Sequence, residues 1–186
     1  MGIQEITTIG PSITDQDISV FEKVIGGRLP STYRRFLLEH NGGRPEPSST
    51  KNIAFSEFYG LKTKKKYCDL LAVYRVMRER LPKEMMSIGD SAFGDQICLV
   101  IKGKNRGKLY FWDHEGRPEN VDIRAKYPGI IFDEDDPDNS KPRAPVTDDW
   151  PGEPDLVLIA DSFTEFLDDF HEFVPDEPKV KRKRPK

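Results

Sequence analysis

Apolar positions fall into short periodic runs divided by glycine, proline and charge. Ile18, Phe21, Val24 and Ile25 recur at three- and four-residue spacing, which predicts an amphipathic helix. Thr14, with Asp17 three residues on, forms a capping box in which Asp replaces the usual Glu or Gln. Gly26-Gly27 ends this helix, because glycine accepts the left-handed C-terminal conformation. Ser31 is placed to cap a second helix with Tyr33, Phe36, Leu37 and His40 on its inner face. Asn41-Gly42-Gly43 closes it, and "RPEPSST" reads as loop. Residues 52–61, "NIAFSEFYGL", alternate in part and are rich in aromatics, so a strand is expected. "TKKK" at 63–66 reads as a solvated turn. Leu70, Leu71, Tyr74, Met77 and Leu81 then predict a third helix over 67–81, closed by Pro82. "MMSIGD" leads into a turn. "QICLVIK" (96–102) and "KLYFWDH" (108–114) form a hairpin about "GKNRG". In the second of these strands Leu109, Phe111 and Asp113 share one face, while Lys108, Tyr110, Trp112 and His114 share the other. "DLVLIA" (155–160) is a last strand. Ser162 caps a last helix with Phe163, Phe166, Leu167 and Phe170 on its apolar side.

Residues 117–154 break this rhythm. They hold seven of the fifteen prolines and an acidic run of Asp133, Glu134, Asp135, Asp136 and Asp138, so a polar loop insertion is expected. Beyond Val174 the chain is charged and proline-rich, and disorder is expected. The expected organisation is one domain over 1–174, carrying the insertion 117–154, and a disordered basic tail at 175–186. Strands joined by hairpins, with helices grouped at the ends, point to an α+β fold rather than a parallel doubly wound sheet.

Composition refines this picture. The chain has 186 residues, and its 11 Phe, 6 Tyr and 2 Trp can supply the core of one domain. The net charge of −3 hides a split. "KVKRKRPK" at the end carries six bases and no acid, so the remainder holds 23 bases against 32 acids, or −9. A body of that charge disfavours nucleic acid and attracts a basic partner. The tail admits two readings, an import signal or nucleic-acid arm, and a solubilising end. No apolar run approaches the roughly 20 residues that cross a bilayer. No secretory signal opens the chain, and Ile6 stands where a myristoylation pattern wants Ser or Thr. Cys68 and Cys98 lie in apolar-periodic segments and read as buried free thiols. A cytoplasmic protein is expected.

Candidate chemistry is sparse. Gly89-Asp90-Ser91, with the later Asp168 and His171, resembles the nucleophile and base motifs of one esterase and lipase family, which makes Ser91 a remote catalytic candidate. Oxyanion donors lack clear counterparts. Gly89 and Gly94 have phosphate-loop spacing, but Asp95 and Gln96 follow where Lys and Ser or Thr are needed. Asp113, His114 and Glu115 alternate faces on a strand and cannot easily chelate one metal. Residues 136–140 imitate the start of a calcium loop, yet Lys141 replaces the obligatory Gly and Thr147 the closing Glu. No cofactor, metal or catalytic residue is expected.

Four blocks carry a resemblance. They are Glu22-x-x-Ile25-Gly26-x-x-Leu29-Pro30 with Tyr33-x-x-Phe36-Leu37 and Asn41-Gly42-Gly43; Ile88-Gly89-Asp90 with Gly94-Asp95; Gly107-x-Leu109-Tyr110-x-Trp112-Asp113-His114-Glu115; and Ser162-Phe163-x-Glu165-Phe166-Leu167. In this order the chain resembles the SUKH superfamily, named partly for a fungal regulator of cell-wall synthesis (the Smi/Knr-like domain). The resemblance implies an α+β domain with a central, largely antiparallel sheet, helices around it and no catalytic residues. It implies a protein-binding module, either a bacterial immunity protein that neutralises a toxin or a regulatory and scaffolding protein. Gly26 and Gly43 are expected to serve backbone conformation, Leu29, Phe36 and Phe166 packing, and Gly89, Gly94 and Asp95 a turn. The insertion and tail lie outside the pattern. The expected partner is a protein, a basic toxin domain in the immunity reading. Asp133, Glu134, Asp135 and Asp136 would meet its charge, and Tyr110 and Trp112 would anchor it.

Overall fold

A computed structural model describes residues 2–7, 10–113 and 156–171. It opens with a helical hairpin. Helix α1 (Asp15–Ile25) has the expected capping box: the Asp17 N–H donates to the Thr14 hydroxyl, and the Thr14 N–H donates to the Asp17 carboxylate. Gly26 ends the helix at φ 62°. Ile18, Phe21 and Ile25 are buried, whereas Val24 lies on the outer side at 47% exposure. Glu22 fixes the turn that follows. One carboxylate oxygen accepts the Leu29 N–H at 2.9 Å, and the other lies 3.2 Å from the Arg34 guanidinium. Helix α2 (Ser31–Glu39) begins differently from expectation. Pro30 holds the cap position and Ser31 is already in the first turn, so its hydroxyl makes no cap.

Five strands form one antiparallel sheet in sequence order: β3 (Phe55–Phe58), β4 (Met85–Ser91), β5 (Gln96–Val100), β6 (Leu109–Trp112) and β7 (Leu156–Ala160). Three further expectations are corrected. "MMSIGD" is strand β4, in the interior of the sheet, rather than an approach to a turn. Its first five residues are all buried, so no alternation marks it, and Gly89-Asp90 mimics turn chemistry. Gly89 is there because a Cβ would sit 2.7 Å from the Glu57 carbonyl oxygen and 2.8 Å from the Phe55 ring. The loop after α2 holds a short strand, β2 (Arg44–Glu46), which pairs antiparallel with β1 (Glu5–Thr7) as a separate two-stranded sheet. The third helix is also shorter than its pattern. One 3-10 turn (Lys66–Cys68) precedes α3 (Leu70–Met77), because Asp69 divides its carboxylate between the Thr63 N–H and the cap at the Ala72 N–H. The final helix α4 (Phe163–Asp168) starts at Ser162, whose hydroxyl accepts the Glu165 N–H.

An aromatic cluster joins helices to sheet. The Phe58 ring packs on Phe36 at 4.8 Å and on Phe163 at 5.9 Å, and Phe55 reaches Phe170 at 5.4 Å. These edge-on contacts place α2 and α4 over the sheet face that carries Phe58. Cys68 and Cys98 are buried free thiols, as expected.

The end of α2 is locked by a buried polar group. Asn41 adopts φ 51° and is 2% exposed. Its amide nitrogen donates to the Pro11 and Leu61 carbonyls at 2.7 and 2.9 Å, and its oxygen accepts the Leu61 N–H at 2.7 Å. The next residues then meet β3, with Gly43 and Phe58 exchanging both backbone hydrogen bonds. Asn41→Ala strands the buried Leu61 N–H and carbonyl and frees the more exposed Pro11 carbonyl, and is expected to cost about 2 to 3 kcal/mol in urea unfolding. Tyr33→Phe is the contrast. The Tyr33 hydroxyl is buried with no hydrogen-bond partner among the described residues, so its removal is expected to leave stability unchanged or raised in the same assay.

Candidate functional site

Cross-strand partners share a face, so the registers define both sides of the sheet. Phe58, Gly89, Ile97, Phe111 and Val157 lie in one row, on the side covered by α2 and α4. The opposite side carries the row Glu57, Asp90, Gln96, Trp112 and Leu156. Beside it runs Ser87, Cys98, Tyr110 and Leu158. On this side Asp90, Gln96, Trp112, Tyr110 and Leu158 are half-buried, which leaves an aromatic and carboxylate surface reachable from solvent.

The expected anchors Tyr110 and Trp112 therefore share this surface, opposite the buried Leu109 and Phe111. Both also pack against the core. Asp133, Glu134, Asp135 and Asp136 lie outside the described residues, as do the calcium-like stretch, His114, Glu115 and the basic tail. Two groups that sequence reasoning did not assign to a site, Glu57 and Asp90, join the anchors. Glu57 is only 6% exposed, and its nearest cation, Arg44, stands 3.9 Å away. Asp90 is its cross-strand partner and accepts the Glu57 N–H at 3.3 Å. Desolvation, assisted by the neighbouring Glu57 charge, pushes the Asp90 carboxyl up to about 6. Gln96 fixes the middle of the row: its side-chain oxygen accepts the Tyr59 hydroxyl at 3.0 Å and the Ser87 hydroxyl at 2.6 Å. Burial raises the Tyr59 and Tyr110 phenols, so both stay neutral hydrogen-bonding groups.

The esterase candidate takes another role. Ser91 is buried, donates to the Asp95 carboxylate at 2.9 Å, and accepts the Phe93 and Asp95 N–H groups. It closes the β4–β5 turn, and no hydrogen bond joins it to His171 among the described residues. The His171 ring nitrogen Nδ1 instead lies 2.9 Å from the Asp169 carbonyl. A separate groove of about 370 Å³ runs between residues 2–6, α2 and α4, with Arg35, Glu39, His40 and Asp168 in its wall. No helix among the described residues is long and apolar enough to cross a membrane.

The arrangement can receive a cation against aromatic rings, at a cost to folding. Asp90 has a raised pKa in the fold, so the folded state binds the proton more tightly than the unfolded chain. Stability from this group is therefore lost as pH rises from about 4 through about 6. Asp90→Asn is expected to stabilise the protein at pH 7.5 by up to about 1 kcal/mol, after discounting for partial exposure, and by nothing at pH 4. Urea titrations of both proteins at the two pH values check this.

Comparison with known proteins agrees with this architecture. The model of the SMI1 / KNR4 family (SUKH-1) matches residues 12–169. The chain is also similar to the SPbeta prophage-derived uncharacterized protein YokK of Bacillus subtilis (strain 168), at 29% identity over 129 residues. That match covers 56% of this chain and 65% of the relative, so the chain spans just under two thirds of the relative's length.

Proposed function

The chain belongs to the SMI1/KNR4 (SUKH-1) family, and from that premise we propose that it is a non-catalytic protein-binding module, an immunity protein that occludes a basic toxin domain. The observation that carries this reading is the half-open part of one sheet face, where Trp112 and Tyr110 stand in adjoining rows and the row of Trp112 runs through Gln96 to Asp90 and Glu57. Aromatic rings bounded by carboxylates suit lysine and arginine side chains, because the ring face and the carboxylate both attract a cation.

Charge adds a second support. Between residues 114 and 155, which join β6 to β7, the sequence has twelve acids and five bases, a net −7. Most of the negative charge of the body is thus attached to the strand that carries Tyr110 and Trp112. Toxin domains that attack nucleic acids are basic because their substrate is anionic. An acidic inhibitor would meet them quickly and with charge-based discrimination. The prophage origin of the Bacillus relative supports a setting of competition between cells or genomes.

The test is a tagged pull-down from native lysate, with a variant carrying Asp133→Asn, Glu134→Gln, Asp135→Asn and Asp136→Asn run beside the parent. The expected outcome is a basic, toxic domain retained by the parent, whose lethality the chain suppresses on co-expression. The variant is expected to bind it about tenfold more weakly at low salt, with a flatter salt dependence. Equal retention of a housekeeping or envelope protein by both would favour the regulatory role instead.

A further inference from the structure

Phe93 stands at the tip of the β4–β5 hairpin and is 77% exposed. The turn beneath it is not loose. Ser91 and Asp95 are joined through backbone and side chains, Ala92 donates to the Ala54 carbonyl at 2.8 Å, and Gly94 (φ 92°) donates to the Ser91 carbonyl. The Ser91 hydroxyl also accepts the Phe93 N–H, and the Gln96 side chain donates to the Gly94 carbonyl at 2.7 Å. A large apolar ring is therefore held outward on a backbone fixed from both strands. The ring contributes little to the core, and covering it would release ordered water.

Its location supplies the chemistry of what covers it. The registers put the ends of β4 and β6 and the starts of β5 and β7 at one end of the sheet. The hairpin tip lies just beyond the row Glu57, Asp90, Gln96 and Trp112. The acid-rich connection leaves the chain at Asp113 and returns at Leu156, at this same end. Lys51 lies on the loop closed by the Ser49–Ala54 bridge, on the side where Ala92 bonds Ala54.

We infer that Phe93 is the pre-organised anchor of the interface, inserting into an apolar pocket rimmed by lysine or arginine on the basic partner. This rests on the reading that the chain binds a basic protein domain, and it adds the residue that fixes the complex once charge has brought it together. Rigid aromatic anchors of this kind give up little conformational freedom on binding, so their loss acts mainly on dissociation.

The test places benzoyl-phenylalanine at position 93 of the full chain in its native cells, and at position 76 as control. Val76 on α3 is 67% exposed and lies outside the proposed interface. Irradiation is expected to give an adduct from position 93 and none from position 76, with a protein of strongly basic composition. Against that purified protein, Phe93→Ala is expected to weaken binding about 10- to 100-fold through faster dissociation. Its salt dependence should be unchanged, with the melting temperature within about 2 °C of the parent. Phe93→Trp should retain most of the affinity. Adducts from both positions or neither, an adduct with a second copy of this chain or with an acidic protein, or full affinity in Phe93→Ala would each overturn the assignment. The two readings fail separately. A basic partner that loses affinity with the four neutralised acids but not with Phe93→Ala removes only the anchor. A partner lost with Phe93→Ala but indifferent to the acids removes only the acidic stretch.

Discussion

The left-handed conformation of Asn41 decides how this chain can fold. A helix that ends in αL must turn its chain sharply, and a β-carbon there costs energy unless something holds it. Three hydrogen bonds from one buried amide hold it, and they reach both the segment before α1 and the segment after β3. Glycine would relieve the strain but supply none of these bonds. The surrounding glycines follow from the same crossing. A Cβ on Gly42 would sit 2.8 Å from the Phe58 carbonyl oxygen, and one on Gly60 would sit 2.1 Å from the Asn41 carbonyl oxygen. The chain passes so close to β3 that Phe36 is brought onto Phe58, and α4 completes the cluster through Phe163 and Phe166. One sheet face is thereby committed to the core, while the other is buried in part and keeps Asp90, Gln96, Tyr110 and Trp112 half-buried.

That other face carries one carboxyl, Asp90, whose ionisation costs the fold stability. Glu57 and Asp90 are like charges in cross-strand register, and the Arg44 guanidinium reaches Glu57 only at 3.9 Å from a largely exposed side chain. Carboxylates placed this way keep the Asp90 proton affinity high. A sheet selected for stability alone would carry an apolar or oppositely charged pair at those positions. Their place in the row that runs through Gln96 to Trp112 fits a surface whose charge is answered by a partner rather than by the chain itself.

Much of the fold was legible wherever its cause is local. The capping box at Thr14, the stop at Gly26, the cap at Ser162, the β5–β6 hairpin and the two faces of β6 all rest on residues within a few positions of one another. What failed to show depends on distant partners. Strand β4 is buried on both faces and so lacks alternation, and its glycine answers a ring and a carbonyl about thirty residues earlier. Strands β1 and β2 are three residues each and exist through pairing across the first helical hairpin. Tyr110 and Trp112 were correctly assigned to one face by period alone, whereas Glu57 and Asp90, 33 residues apart, meet only through register. One failure is local: the third helix starts later than its period suggests because Asp69 serves two backbone donors within six residues, a capping signal that apolar periodicity does not carry.

The residues that define the family resemblance turn out to hold the chain together. Glu22 clamps the α1–α2 turn, Asn41 and the glycines after it set the crossing, Gly89 permits a close strand, and Asp95 ties the hairpin by accepting the hydroxyl of Ser91, a residue between the blocks. A motif spent on backbone geometry leaves partner choice to positions between and beyond its blocks, where substitution costs the fold little. Trp112 and Asp90 belong to the blocks yet face outward, and Phe93 fills the gap between Asp90 and Gly94. A scaffold built this way can keep its frame while its hairpin tip and the β6–β7 connection change. The proposed immunity role needs that property wherever related chains must match different surfaces, because specificity is a difference between affinities and is changed most cheaply where stability is not at stake.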